Sequence, residues 1–112
     1  GKTAADGLAV GRASRLVGKL METRLDGVFT VEDDTLYRLL AQLADREGIY
    51  IEPSACAGFP GVMRLYGQNE YLNANGLAAV MPQATHIVWA TGGSMVPPAE
   101  MQSYYEKGRA LL

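Results

Sequence analysis

The chain has 112 residues, 48% hydrophobic and 20% charged, enough for one modest domain and too apolar for disorder. Ten Lys and Arg, scattered among twelve Asp and Glu, give a net charge of −2, so no basic patch marks a nucleic-acid or anionic-membrane partner. No run approaches the roughly 18 apolar residues of a membrane span, no signal-like apolar core stands at the N-terminus, and the single cysteine, Cys56, has no internal disulfide partner, so a cytoplasmic location is expected.

The opening GKTAADGLAVGRAS has no initiator Met and no capped element, and reads as a Gly-Ala loop entered partway along a longer polypeptide. Ser14 then caps a helix to about Leu25, with Leu16, Val17, Leu20, Met21 and Leu25 at three- and four-residue intervals. VFTV (28–31) reads as a short strand, and Thr30 with Asp33 as a capping box. The clearest element is a helix over 33–47, with Leu36, Leu39, Leu40 and Leu43 on one stripe and Gly48 as its stop.

IYI (49–51) gives another strand, broken by Pro53, and Ser54 is placed to cap an irregular helix of small residues. Residues 67–84 read as a loop with one weak helical turn near Leu77 to Met81. IVWA (87–90) is continuously apolar, the pattern of a strand covered on both faces, and it stops in Thr91-Gly92-Gly93. Pro97-Pro98 leads into a C-terminal helix over about 99–111. This alternation predicts an α/β fold with a mostly parallel sheet flanked by helices.

Candidate chemistry is sparse. The only histidine, His86, opens the buried strand with no acidic residue near it in sequence, so a structural role is expected rather than a catalytic triad. One His and one Cys make no zinc site, Asp33 and Asp34 suit a helix N-terminus, and Cys56 reads as a small buried thiol. Open α/β sheets bind ligands outside the carboxyl ends of their strands, and three segments fall there: ADGLA, EPSA and ATGG. None matches a phosphate loop or a dinucleotide fingerprint.

In their order and spacing, TAADGLAVGRAS, DGVFTVEDDTLYRLLAQLADREGIYIEPSACAG and THIVWATGGSMVP resemble the C-terminal quarter of the bacterial D-serine dehydratases (D-serine ammonia-lyases), and more distantly the serine and threonine dehydratases and serine racemases. The resemblance implies a fold-type II enzyme that uses pyridoxal 5'-phosphate to eliminate water from D-serine or a similar small β-hydroxy amino acid, giving pyruvate and ammonia. Residues 1–112 would be the end of its large cofactor-binding domain, its partner the remainder of its own polypeptide.

The Schiff-base lysine is then expected upstream, because Lys2, Lys19 and Lys107 sit in no Ser-x-Lys context; no catalytic residue and no metal ligand is assigned within the chain. The resemblance places Thr91 where relatives carry a hydroxyl that hydrogen-bonds the cofactor's pyridine nitrogen. Gly92 and Gly93 would leave that ring edge uncrowded, Gly7 would line the cofactor with backbone, and Glu52 would be a carboxylate beside the ring. Ser94 departs from an expected glycine. The alternative is a non-catalytic α/β domain that binds a ligand or a partner.

Overall fold

In the computed structural model, which describes residues 3–112, five α-helices and three short 3-10 turns follow one another along the chain, and no β-strand forms among the described residues. Lys2 lies outside the described residues. The helices are α1 (Arg15–Met21), α2 (Asp33–Glu47), α3 (Phe59–Tyr66), α4 (Asn69–Ala74) and α5 (Pro98–Ala110). The turns are Asp6–Leu8, Pro53–Cys56 and Met81–Gln83.

The expected parallel sheet is therefore overturned. The three stretches predicted as strands, 28–31, 49–51 and 87–90, carry no helix but make no ladder with one another. One backbone hydrogen bond, Glu52 N–H to the Gly92 carbonyl at 2.9 Å, links the residues that follow the second and third stretches. Their β-branched and aromatic residues suit a pleated, covered surface, but a strand exists only with a neighbour to accept its backbone hydrogen bonds. Here Val28 is 82%, Ile87 79% and Trp89 78% exposed, so the segment expected to be buried on both faces is open on the surface.

Helix α2 is the centre of the packing. Of the predicted stripe Leu36 and Leu40 are buried and Leu39 and Leu43 half-buried, with Ala41 and Ala44 buried beside them, and Gly48 closes the helix with φ 65° in the left-handed region. Its start differs from expectation. Glu32 rather than Thr30 is the N-cap, without a side-chain capping bond. Asp33 instead turns outward from the helix and accepts from the Thr3 hydroxyl and from Ala4 N–H at 2.7 Å. These bonds to the charged form hold the Asp33 carboxyl below its ordinary range, with the positive charge of Lys107 adding to them.

Against α2 pack the turn Pro53–Cys56 and helix α5. Leu36, Leu40, Ile51, Ala55 and Cys56 join Ala5 in one buried cluster. The expected helix after Ser54 is thus split: a 3-10 turn that carries Ala55 and Cys56 inward, then α3 beginning at Phe59 with Pro60 in its first turn. Burial pushes the Cys56 thiol up to about 12, which leaves it an inert apolar group. Residues 69–74, expected as loop, form α4, tied down where the Tyr71 hydroxyl donates to the Asp26 carbonyl at 2.8 Å.

Helix α1 is shorter than its apolar spacing suggests. Ser14 caps it, accepting from Val17 N–H at 3.4 Å, but it ends at Met21, and Leu16, Val17 and Leu20 are all more than half exposed. Its stripe has nothing to pack on, so tertiary burial does not extend it.

Helices α2 and α5 cross at Gly108. A Cβ there would lie 2.0 Å from the Tyr37 carbonyl oxygen and 2.9 Å from Ala41 Cβ. Around this contact Lys107 Nζ sits 4.5 Å from the Tyr37 ring centroid, the Tyr105 hydroxyl donates to Asp45 at 2.6 Å, and Arg109 pairs with Asp45 at 3.3 Å. In an open helix Gly→Ala stabilises by about 1 kcal/mol; here the methyl meets backbone and the sign reverses. Gly108→Ala is expected to destabilise the protein by about 2–3 kcal/mol in urea unfolding, within the range for overpacking. A variant as stable as wild type would show that the crossing is not close-packed.

Candidate functional site

Three segments far apart in sequence meet beside the N-terminal end of the 3-10 turn Pro53–Cys56. The turn Asp6–Leu8 reaches it through Gly7, whose N–H donates to Ser54 Oγ at 3.1 Å. The 91–93 segment reaches it through the Glu52 N–H bond to the Gly92 carbonyl. Glu52 itself, half-buried and preceding the turn, stands between the two. Its Oε1 lies 2.9 Å from where a Cβ on Gly92 would be and 4.0 Å from where one on Gly7 would be.

The glycines of this corner do different things. Gly93 has φ 150°, a conformation that side chains rarely adopt, and a Cβ on it would lie 2.7 Å from Ile51 Cα and 2.8 Å from the Tyr50 carbonyl. It is glycine because backbone meets backbone. Gly92 faces the Glu52 carboxylate, the movable end of a side chain. The close approach that the Gly-Gly pair permits is therefore to residues 50–52 of the same chain. Thr91, just before them, is exposed, and its hydroxyl has no side-chain hydrogen-bond partner among the described residues.

Of the residues expected from sequence, Gly7, Glu52, Gly92 and Gly93 are brought together, and Thr91 is exposed next to Gly92 in the chain. The corner offers an exposed hydroxyl that can donate or accept, a half-buried carboxylate and the turn backbone at Gly7, while the Cβ positions of Gly92 and Gly93 are taken up by residues 50–52 of the same chain. Two contributors were not singled out for it. Ser54, read as a helix cap, takes the Gly7 N–H, and Asp33, read as a cap, holds Thr3 and Ala4. Local spacing carries no signal for bonds that span 29 to 47 residues.

His86 lies elsewhere and is exposed rather than buried in a strand. Its Nε2 is 3.2 Å from the Tyr66 hydroxyl, the rings edge to face at 5.7 Å. Among the described residues no group of three or more His, Cys, Asp and Glu is placed to hold a metal ion, and no helix is long and apolar enough to cross a membrane.

Residues 1–81 match the family model described as pyridoxal-phosphate dependent enzyme. Curated relatives include three proteins named probable D-serine dehydratase. That of Halalkalibacterium halodurans is 57% identical over 108 residues, covering 96% of this chain and 24% of the relative. That of Geobacillus stearothermophilus is 59% identical over 111 residues, again 96% and 24%. That of Pseudomonas paraeruginosa is 57% identical over 113 residues, 99% and 25%. The chain thus spans about a quarter of the length of the curated relatives it matches.

The corner's geometry separates its two adjacent glycines by experiment. Gly93→Ala combines a disfavoured φ with a backbone clash and is expected to cost about 2–4 kcal/mol in urea unfolding. Gly92→Ala asks only that the Glu52 side chain swing away, and is expected to cost less than about 1 kcal/mol. Equal effects would contradict the backbone packing of 91–93 on 50–52.

Proposed function

We propose that this chain, which belongs to the family of pyridoxal-phosphate dependent enzymes, forms the C-terminal part of the cofactor-binding domain of a D-serine dehydratase and supplies the edge that faces the cofactor ring. The observation that carries the reading is the meeting of Gly7, Glu52 and Gly92 at one corner, with the exposed Thr91 next to Gly92 in the chain. The 57–59% identity to proteins named probable D-serine dehydratase supports the substrate.

The exposed Thr91 hydroxyl supports this reading, since it can donate to or accept from a ring nitrogen. Thr91 would hydrogen-bond the pyridine nitrogen, Glu52 would stand beside the ring, Gly7 would line the cofactor with backbone, and Gly92 and Gly93 would hold Thr91 in place by packing on residues 50–52. When bound, the cofactor withdraws electrons from the substrate's Cα and so makes the α-proton acidic. The net reaction converts D-serine to pyruvate and ammonia; the water lost with the β-hydroxyl is regained when the enamine is hydrolysed. Thr91 supplies a hydroxyl where a carboxylate would bring charge, so the ring nitrogen need not be protonated and loss of the β-hydroxyl is favoured over return of the proton to Cα.

The lysine that anchors the cofactor would come from the remainder of the polypeptide. The exposed Val28, Ile87 and Trp89 and the open stripe of α1 support that assignment, since they form apolar surface that a further part of the same chain would cover.

In the complete enzyme, Thr91→Ser is expected to keep most activity because the hydrogen bond survives. Thr91→Val keeps the shape but replaces the donor-acceptor by a methyl, leaving the ring nitrogen unpaired at a cost of about 1–3 kcal/mol, or roughly one to two decades in cofactor affinity or rate. D-serine elimination and the cofactor dissociation constant measure both. If Thr91→Val matches wild type in each, Thr91 is only part of a turn.

A further inference from the structure

Asp33 has two places it could act. It sits in the first turn of α2, beside Asp34, where any carboxylate is favoured by the helix dipole. Its oxygens, however, are spent on the N-terminal segment: one accepts from the Thr3 hydroxyl and the other from Ala4 N–H at 2.7 Å. Thr3 Oγ in turn accepts from Ala5 N–H at 3.1 Å, and Ala5 is buried in the cluster with Leu36 and Leu40. The chain then turns through Asp6–Leu8 and is caught again where Gly7 N–H donates to Ser54 Oγ.

Residues 3–8 are thus a strap held at two ends, by Asp33 at one and Ser54 at the other. Between the anchors only the Ala5 side chain is buried; residues 6–10 are exposed. A strap with so little apolar burial keeps its course through its polar anchors, because each hydrogen bond to a charged acceptor outweighs what the exposed residues contribute.

We propose that Asp33 is a positioning residue for the cofactor edge: through Thr3 and Ala4 it fixes the strap that presents the Gly7 backbone beside Glu52. The inference rests on the assignment of that corner to the cofactor. Asp33 touches neither substrate nor cofactor; it acts through the strap. Asp34, which shares the helix terminus but is exposed, is the internal control.

The test uses the complete enzyme, four single variants and one double, with two readouts: amide hydrogen exchange at Gly7 and the dissociation constant for pyridoxal phosphate. Asp33→Ala is expected to raise Gly7 exchange and to weaken the cofactor roughly ten-fold. Asp33→Asn keeps an acceptor for Ala4 and a donor for Thr3, and is expected to stay within about three-fold of wild type. Asp34→Ala loses the same helix-dipole interaction and is expected to change neither readout. Ser54→Ala frees the other anchor, and combined with Asp33→Ala the effects are expected to fall short of additive, since both act on one strap.

Unchanged Gly7 exchange in Asp33→Ala, or an equal loss of cofactor affinity in Asp34→Ala, overturns the positioning role. Raised Gly7 exchange in Asp33→Ala with unchanged cofactor affinity has a different meaning: the strap is held as described, and it is the placement of Gly7 at the cofactor that fails.

Discussion

Everything in this chain hangs on the burial of one face of α2. Leu36 and Leu40, each 1% exposed, are covered by Ile51, Ala55 and Cys56 on one side and Ala5 on another, and Ala41 receives Gly108 of α5. Burying a leucine contributes about 1.5–3 kcal/mol, so these contacts outweigh any single exposed pair such as Arg109 with Asp45. Because α2 gathers the strap 3–8, the turn Pro53–Cys56 and α5, it also sets where Gly7 and Glu52 stand. The 91–93 segment is then drawn in by the Glu52–Gly92 backbone bond. The corner is a by-product of the core.

The division of labour within the corner follows from that order. Gly93 serves packing, because its backbone lies on Ile51 and Tyr50. Glu52 and Thr91 are left with polar groups that the core does not need. A carboxylate held between Gly7 and Gly92 and an exposed hydroxyl with no side-chain partner among the described residues are what an aromatic nitrogen heterocycle would use, and the family to which the chain belongs takes its description from such a cofactor.

What the sequence made legible depended on whether the deciding interaction was local. Helix α2 was readable from its 3.6-residue stripe and its glycine stop, and α5 from the Pro97-Pro98 lead. The three strands were not there to be found: VFTV, IYI and IVWA carry the residues of strands, but pairing is a property of two segments, and these have no ladder partner among the described residues. Helix α4 was missed because Asn69, Asn73 and Asn75 weaken its local signal, while the tie from Tyr71 to Asp26 spans 45 residues. The site residues came from resemblance to a family, and the segments that carry them do converge; the bonds that make them converge, from Asp33 and Ser54, left no trace in local spacing.

If, as proposed, the corner of Gly7, Glu52 and Thr91 faces the cofactor ring, the ring nitrogen is paired with a neutral hydroxyl. The direct measurement is nitrogen NMR of the complete enzyme loaded with pyridoxal phosphate labelled at the ring nitrogen. The expected signal is that of an unprotonated, hydrogen-bonded pyridine nitrogen at neutral pH. A protonated pyridinium signal would contradict the proposal, because no hydroxyl supplies the charge that state requires.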